Sequence, residues 1–149
     1  MHNTSDTLAI PVPHTNAAPT EDGWSQPTFF HALRGATVVP ANTAEAIYAA
    51  AQEVLTMLVT HNRIPVESIA SIFFTVTPDL NAAFPAKAAR QLGWRHIALM
   101  CATEIDVPDA LPSCLRVLLH FNASRPRADY QPIYLRGADQ LLADDPPES

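Results

Sequence analysis

The chain has 149 residues, enough for one compact domain that buries its own core without disulfides or a structural metal. Hydrophobic residues make up 48% and charged residues 16%, a globular composition, and no apolar run reaches the roughly 18 residues that a membrane helix needs. The net charge of -6 argues against broad nucleic-acid binding, because phosphate backbones bind to basic surfaces.

Both ends of the sequence are predicted to lie outside the folded domain. Residues 1–27 combine prolines with small polar residues and show no helical or strand period, so we expect a flexible leader. It lacks the basic start and apolar stretch of a secretory signal, which favours the cytoplasm and free thiols at Cys101 and Cys114. With a frayed tail expected over 143–149, the single domain is predicted to span 28–142.

The first half of the domain has the pattern strand, helix, strand. Residues 28–39 have strand composition, and Gly35 within them predicts a bulge or a close backbone approach. Asn42 followed by Glu45 indicates a helix start, and apolar residues at helical spacing predict a helix over 43–61. Residues 69–76 are an apolar, β-rich run that is predicted to be a buried strand.

The second half adds one short helix and three strands. Strong helix formers over 85–93 lie between Pro85, suited to a first turn, and Gly93, suited to a cap. Strands are predicted at 96–102, 114–123 and 130–136, with Pro132 placing the start of the last one at an edge. This order predicts an α/β (α+β) fold with a mixed β-sheet packed on one side by helices.

Arg116 interrupts an otherwise apolar strand. Alternation places it on one face with Cys114, Leu118 and His120, and it places Leu115, Val117, Leu119 and Phe121 on the core face. A charge in such a position needs a carboxylate partner, solvent or an anionic ligand. The pattern alone leaves a structural salt bridge and a ligand site both open.

Other candidates carry the same ambiguity. Glu104 directly follows a predicted strand, Arg34 precedes Gly35, Cys101 lies near Glu104, and Tyr134 belongs to the last strand. Each has an ordinary structural interpretation as well as a functional one. The histidines and cysteines show no metal-ligand spacing and the sequence has no glycine-rich phosphate loop, so neither a metal nor a cofactor is expected.

Three sequence blocks, taken together, carry a resemblance to a known family. They are RGATVV at 34–39, TPDLNAAFPAKAARQLGW at 77–94 and CATEIDV at 101–107, and they are followed by CLRV at 114–117 and IYL at 133–135. In this order and spacing the blocks resemble the AroH-type chorismate mutases. The resemblance covers residues 30–136.

The resemblance implies a pseudo-α/β barrel homotrimer with active sites between subunits, which rearranges chorismate to prephenate in aromatic amino acid biosynthesis without a cofactor. It implies substrate contacts from one subunit at Arg34, Cys101, Glu104, Arg116 and Tyr134, and from its neighbour at Phe84, Ala86, Lys87 and Arg90. Two positions depart from the family pattern: Met100 occupies a substrate-contact position that is often threonine, and Leu142 stands where an arginine of the closing tail is expected.

In this interpretation the catalytic residues are Arg116, Glu104 and Arg34. Arg116 would stabilise negative charge on the ether oxygen, Arg34 with Tyr134 would bind a carboxylate, and Glu104 with Cys101 would bind the ring hydroxyl. Two alternatives remain: a regulatory protein that binds chorismate or prephenate without turnover, and a Rid-like deaminase of similar trimeric fold. Loss of chorismate with formation of prephenate distinguishes the three.

Overall fold

The computed structural model describes residues 28–143. The predicted leader over 1–27 lies outside the described residues, as does the predicted tail beyond Ala143. Within the described part the element order is β1 (Phe29–Val38), α1 (Ala44–His61), β2 (Ile69–Val76), α2 (Ala86–Gln91), β3 (Ala98–Thr103), β4 (Cys114–Ala123) and β5 (Ile133–Leu135). Short 3-10 turns occupy Val66–Ser68, Arg127–Asp129 and Ala138–Leu142.

The strands form one mixed sheet in the order β3-β2-β4-β1-β5. β4 lies at its centre and runs antiparallel to both β1 and β2, while β3 is parallel to β2 and β5 is parallel to β1. Both helices contact the sheet, and they also contact each other. The predicted mixed sheet with helices on one side is therefore confirmed.

The helices cover the face of β4 that alternation assigned to the core. Its four side chains, Leu115, Val117, Leu119 and Phe121, are buried together with Phe74 of β2. The opposite face of the sheet is not covered by the described residues, and we call it the open face. Its large apolar side chains include Phe30, Phe73, Met100 and Leu118, of which Met100 is 63% exposed.

Helix α1 has the predicted span, but its cap differs from the prediction. The side chain of Thr43, not Asn42, caps the helix by accepting a hydrogen bond from the Ala46 N–H at 3.2 Å. Asn42 lies one residue outside the cap and bonds to another part of the chain. Threonine is also a favoured cap residue, although asparagine ranks above it, so cap preference alone pointed to the wrong one of the two adjacent positions.

Gly35 marks a close approach rather than a bulge. It pairs with Val117 in an unbroken β1/β4 register, and a Cβ added at residue 35 would lie 2.8 Å from Leu58 Cδ1 of α1. The missing side chain therefore lets α1 pack directly against the backbone of β1.

Two strand predictions were wrong at their ends. β3 begins at Ala98 rather than His96, because Gly93 ends the preceding helix at φ 85° and the chain buries Trp94 and Ile97 before it reaches the sheet. β5 begins only at Ile133, because Pro132 has no N–H to donate to a neighbouring strand.

Candidate active site

The open face carries a cavity of about 230 Å³ that brings together the three predicted catalytic residues. We call it the arginine cavity. Arg116 projects from β4, Arg34 from β1 and Glu104 from the residue after β3, and Phe73, Thr75 and Leu118 complete most of the lining. The strand register explains this convergence, because Arg34 pairs with Leu118, and Thr75 pairs with Arg116, on the same face.

Arg116 and Glu104 form a loose ion pair within this cavity. Arg116 Nε lies 3.7 Å from Glu104 Oε1, within ion-pair range but beyond hydrogen-bond distance. The Arg116 side chain is 31% exposed and that of Glu104 is 22% exposed. The salt-bridge interpretation of Arg116 is therefore partly correct, although the carboxylate does not satisfy the guanidinium.

Two polar atoms in the arginine cavity lack hydrogen-bond partners. Arg116 Nε and Thr75 Oγ1 are both buried, and neither has a partner among the described residues. Buried polar groups are normally bonded, so an unpaired guanidinium N–H indicates a donor available to an acceptor that the described chain does not supply. With two arginines against one glutamate, the cavity has a net positive charge and is suited to an anionic ligand.

Tyr134 lies beside Arg34 on the same face. It pairs with Ala36 across β1 and β5, and a second cavity of about 160 Å³ is lined by both Tyr134 and Arg34. Arg34 thus borders both cavities. A phenol and a guanidinium in this arrangement can donate to the same carboxylate.

A larger cleft of about 640 Å³ lies at the carboxyl ends of β2 and β3, and we call it the Phe84 cleft. Its lining includes Tyr48, Phe84, Pro85, Cys101 and Thr103. Phe84 is 77% exposed at this cleft, which is unusual for so large an apolar side chain.

Cys101 belongs to the Phe84 cleft and not to the arginine cavity. It pairs with the core residue Phe74, so its thiol points to the helix-covered face, opposite to Arg116. Burial raises the pKa of the Cys101 thiol, and an interaction with the backbone N–H of Ala86 offsets part of this effect. The thiol is therefore neutral near pH 7 and is suited to donating a hydrogen bond rather than to nucleophilic attack.

The remaining predicted site residues are dispersed. Ala86 and Lys87 open α2, with Lys87 Nζ 5.4 Å from the Tyr48 ring centre, and Arg90 lies exposed in the last turn of the same helix. The Met100 side chain lines a separate apolar cavity on the open face, and Leu142 ends the last 3-10 turn with its side chain exposed. Within the described chain, none of these five lines the arginine cavity.

The turn that follows β2, at Thr77-Pro78-Asp79, fixes the start of β4. Thr77 Oγ1 donates to Asp79 Oδ1 at 2.5 Å, and Asp79 Oδ2 accepts from Ser113 N–H at 2.8 Å and Ser113 Oγ at 3.0 Å. Thr77 Oγ1 also accepts from Cys114 N–H at 2.9 Å. The bonds that Asp79 accepts from Thr77 and Ser113 lower the pKa of its carboxyl, the Thr77 bond most of all. The Thr-Pro-Asp sequence is typical of such turns and predicts one at the end of β2, but it does not predict the bonds to Ser113 and Cys114.

Comparison with known proteins identifies relatives over most of the chain. The family model for chorismate mutase type I matches residues 30–145. A protein named chorismate mutase AroH from Thermus thermophilus is 42% identical over 113 residues, covering 75% of this chain and 93% of its own length. The Bacillus subtilis protein of the same name is 35% identical over 113 residues, covering 75% and 89%.

A solved structure shows the same similarity in three dimensions. A chorismate mutase from Clostridium thermocellum superposes with a TM-score of 0.72 at 48% sequence identity, covering 74% of this chain and 98% of that one. Both the sequence and the fold of the described domain therefore match proteins of one family.

Proposed function

The chain belongs to the type I chorismate mutase family, and from this membership we propose that it converts chorismate to prephenate at a site built around Arg116, Glu104 and Arg34. Chorismate mutase is an isomerase of aromatic amino acid biosynthesis. We also propose that the enzyme acts in the cytoplasm, a reducing compartment that suits the free thiols of Cys101 and Cys114. Among residues 28–143, no helix is both long and apolar enough to cross a membrane.

The rearrangement needs positioning and electrostatics rather than acid, base or nucleophile. The enol-ether C–O bond of chorismate breaks while a new C–C bond forms, with no proton transfer, and negative charge builds on the ether oxygen. An enzyme accelerates such a step by holding the reactive conformer and by placing fixed positive charge where the electron density grows.

In our proposal Arg116 supplies that charge. It cannot lose its proton, it is mounted on the central strand, and it lines the arginine cavity with an Nε–H that has no partner among the described residues. Glu104 orients the guanidinium through the 3.7 Å ion pair and accepts a hydrogen bond from the ring hydroxyl of the substrate. Arg34 and Tyr134 bind a substrate carboxylate between them.

The observation that carries this proposal is the convergence of Arg34, Glu104 and Arg116 in one cavity, with Arg116 Nε buried and without a hydrogen bond. These residues come from three separate segments of the chain, β1, the end of β3 and β4. The 3.7 Å ion pair with Glu104 gives Arg116 Nε no hydrogen bond, so this pair alone does not account for the arginine.

We further propose that the active site is completed by a neighbouring subunit in a homotrimer. The open face of the sheet exposes large apolar side chains that a second copy would cover, and the arginine cavity opens on this face. Phe84, Ala86, Lys87 and Arg90, together with the Cys101 edge of the Phe84 cleft, would then come from the neighbour. This assignment gives the exposed Phe84 side chain a role.

The first test is enzymatic and hydrodynamic. We expect the purified protein to consume chorismate, followed by the loss of enol-ether absorbance, and to yield prephenate. We expect a mass three times that of the 16.2 kDa chain by sedimentation. A fully active monomer would contradict the shared site, and binding of chorismate without turnover would contradict the catalytic assignment.

A second test asks whether the site is shared between subunits. Arg116→Ala disables the arginine cavity of its own chain, and Arg90→Ala disables the part proposed to come from a neighbour. When the two inactive variants are co-expressed in equal amounts, they should recover about a quarter of the parent activity. In random mixed trimers, one site in four combines an intact arginine cavity from one chain with an intact Arg90 from its neighbour. No recovery in mixed trimers would place all the residues of a site on one chain.

A further inference from the structure

The side chain of Asn42 connects the start of α1 to the loop that carries Phe84. Asn42 Oδ1 accepts hydrogen bonds from the backbone N–H groups of Asn81 and Ala82, each at 3.0 Å. Asn42 Nδ2 donates to Asn81 Oδ1 at 2.8 Å. One amide side chain therefore makes three bonds to two adjacent loop residues.

Without these bonds the loop would have few attachments. Leu80 and Pro85 are buried and fix its two ends, while Asn81, Ala82 and Phe84 are exposed. Within the described chain, the only other hydrogen bond that involves residues 81–84 runs from the Lys87 N–H to the Phe84 carbonyl at 3.2 Å. Among the described residues, Asn42 therefore provides the only side-chain hydrogen bonds that reach this loop from outside it, while Ala83 packs against the core.

Helix capping does not account for Asn42. Thr43 already caps α1, and the Asn42 amide points away from the first turn toward the loop. The residue is well placed to act as an anchor, because it adjoins the end of an 18-residue helix that packs against the sheet and α2.

We infer that Asn42 is a positioning residue for the chorismate mutase reaction: it holds the 81–84 loop so that Phe84 and the start of α2 are in place before substrate binds. The inference rests on the proposed function, in which this loop forms one wall of the active site. If the loop is already ordered in the free enzyme, substrate binding does not have to supply the free energy of ordering it. Loss of the anchor should therefore weaken binding more than it slows the chemical step.

The test compares KM and kcat of the parent protein with those of a set of variants. Asn42→Ala removes all three bonds and should raise KM about tenfold, equivalent to one net hydrogen bond, with kcat within about threefold of the parent. Asn42→Asp keeps the acceptor for both backbone N–H groups, so it should restore KM to within about threefold of the parent. Asn81→Ala also keeps both of these bonds and should behave like Asn42→Asp.

Gln52→Ala is the matched control. Gln52 Nε2 donates to Gln91 Oε1 at 2.8 Å, a bond between α1 and the end of α2 that spans the same sequence separation as the Asn42–Asn81 bond but lies away from the loop. We expect an unchanged KM for this variant. If Gln52→Ala and Asn42→Ala raise KM equally, the effect comes from general packing of the two helices and the inference is wrong.

Phe84→Ala separates failure of this inference from failure of the proposed site. If Phe84→Ala raises KM and Asn42→Ala does not, Asn42 has no positioning role and the proposed site stands. If neither variant changes KM, the loop is not part of the active site and both proposals fail. If Asn42 acts through the loop, the double variant with both Asn42→Ala and Phe84→Ala should raise log KM by less than the sum of the two single increases.

Folding of the variants is checked by thermal unfolding and by trimer mass. If Asn42→Ala does not fold, Asn42→Ser takes its place, because its shorter hydroxyl cannot reach both N–H groups, and it should raise KM at least about threefold. An Asn42→Ser protein that is folded and trimeric with the KM of the parent would overturn the inference.

Discussion

Arg116 occupies a position that is expensive to maintain. It places a charged side chain in a strand whose neighbours are buried, and its ion pair with Glu104 leaves Nε without a hydrogen bond. A hydrophobic residue in its place would avoid this desolvation. The proposed role in stabilising charge on the ether oxygen explains why an arginine is kept there.

Replacing Arg116 should slow the chemical step far more than it weakens binding. Removal of one preorganised donor from developing charge costs roughly 2.7–4 kcal/mol, so Arg116→Ala should lose at least about a hundredfold to a thousandfold in kcat. Arg116→Lys keeps the charge but not the planar fork, so its kcat should lie between those of Ala and the parent.

Steady-state kinetics and thermal unfolding of the three proteins test this prediction. A purely structural role makes the opposite forecast: both substitutions would lower Tm, and the folded fraction would keep near-normal turnover. An Arg116→Ala protein that is folded, trimeric and fully active would remove the central residue from the mechanism.

Sequence reasoning identified candidate residues better than it identified their grouping. The isolated charge of Arg116 was visible in the strand pattern, and the structure brings Arg34 and Glu104 beside it. Cys101 is close to Glu104 in sequence, but strand alternation places its thiol on the opposite face of the sheet. Asn42 was misread as a cap because its actual partners are 39 and 40 residues away, a separation that local patterns do not report.

The turn from Thr77 to Leu80 shows how one element positions another. Its hydrogen bonds join the end of β2 to Ser113 and Cys114, where β4 begins. β4 carries Arg116 two residues later, so this turn fixes the strand that presents the central arginine.

Asp79→Asn should therefore lower the melting temperature of the protein at neutral pH. An asparagine amide has only one oxygen. In one orientation its NH2 group would face the Ser113 donors, and in the other it would face the Thr77 hydroxyl, so one set of bonds would be lost. The Asp79 pKa is lowered in the folded state, so its contribution to stability is complete above the ordinary carboxyl pKa of about 3.9 and is lost as pH falls through the folded value.

Thermal unfolding of both proteins from pH 3 to pH 7 checks this expectation. The difference in Tm should be constant above about pH 5 and should shrink below about pH 4. Because Asp79 is exposed, the effect should be modest. A difference that persists unchanged at the lowest pH would mean that the carboxylate charge is not what stabilises the turn.

The packing of α1 on β1 depends on the absence of a side chain at residue 35. A Cβ there would lie 2.8 Å from Leu58 Cδ1 and 3.0 Å from Val54 Cγ2, so Gly35→Ala should destabilise the fold by about 1–3 kcal/mol through overpacking. Equilibrium unfolding in urea measures the loss. Adding Leu58→Val, which removes the closest methyl group, should recover part of the lost stability. If the destabilisation of the double variant equals the sum of the two single effects, the steric contact is not the cause.

The strand ends that were predicted correctly are those that turn residues next to the strand determine. β2 and β4 match their predicted limits because each is an apolar run that ends at strong turn residues. β3 begins later than predicted because the chain buries Trp94 and Ile97 before it reaches the sheet, and β5 is shorter because Pro132 has no N–H to donate.

At the scale of the whole molecule, the described residues form a sheet with one covered face and one open face. The alternation of side chains along β4 predicted its core face, but it could not show what covers the opposite, open face of the sheet. The trimer therefore remains an inference from the family resemblance, supported by the apolar surface that the open face exposes.

Deletion of residues 1–27 should leave folding and turnover nearly unchanged. The match to the type I family begins at residue 30, and all the elements of the sheet and both helices lie within 28–143. The truncated and full-length proteins can be compared by kcat, KM and Tm. A large drop in any of these for the truncated protein would show that the leader covers the active site or a subunit interface.

The central place of β4 in the sheet has a consequence for biosynthesis. β1 and β2 bond to each other only through β4, which is translated long after both. At about 5 to 20 residues per second, β1 waits on the order of 4 to 15 s on the ribosome before its partner is made. During that time β1 has no central partner, and β2 joins it in the same state once it has been made, so the sheet cannot be completed until β4 has been translated.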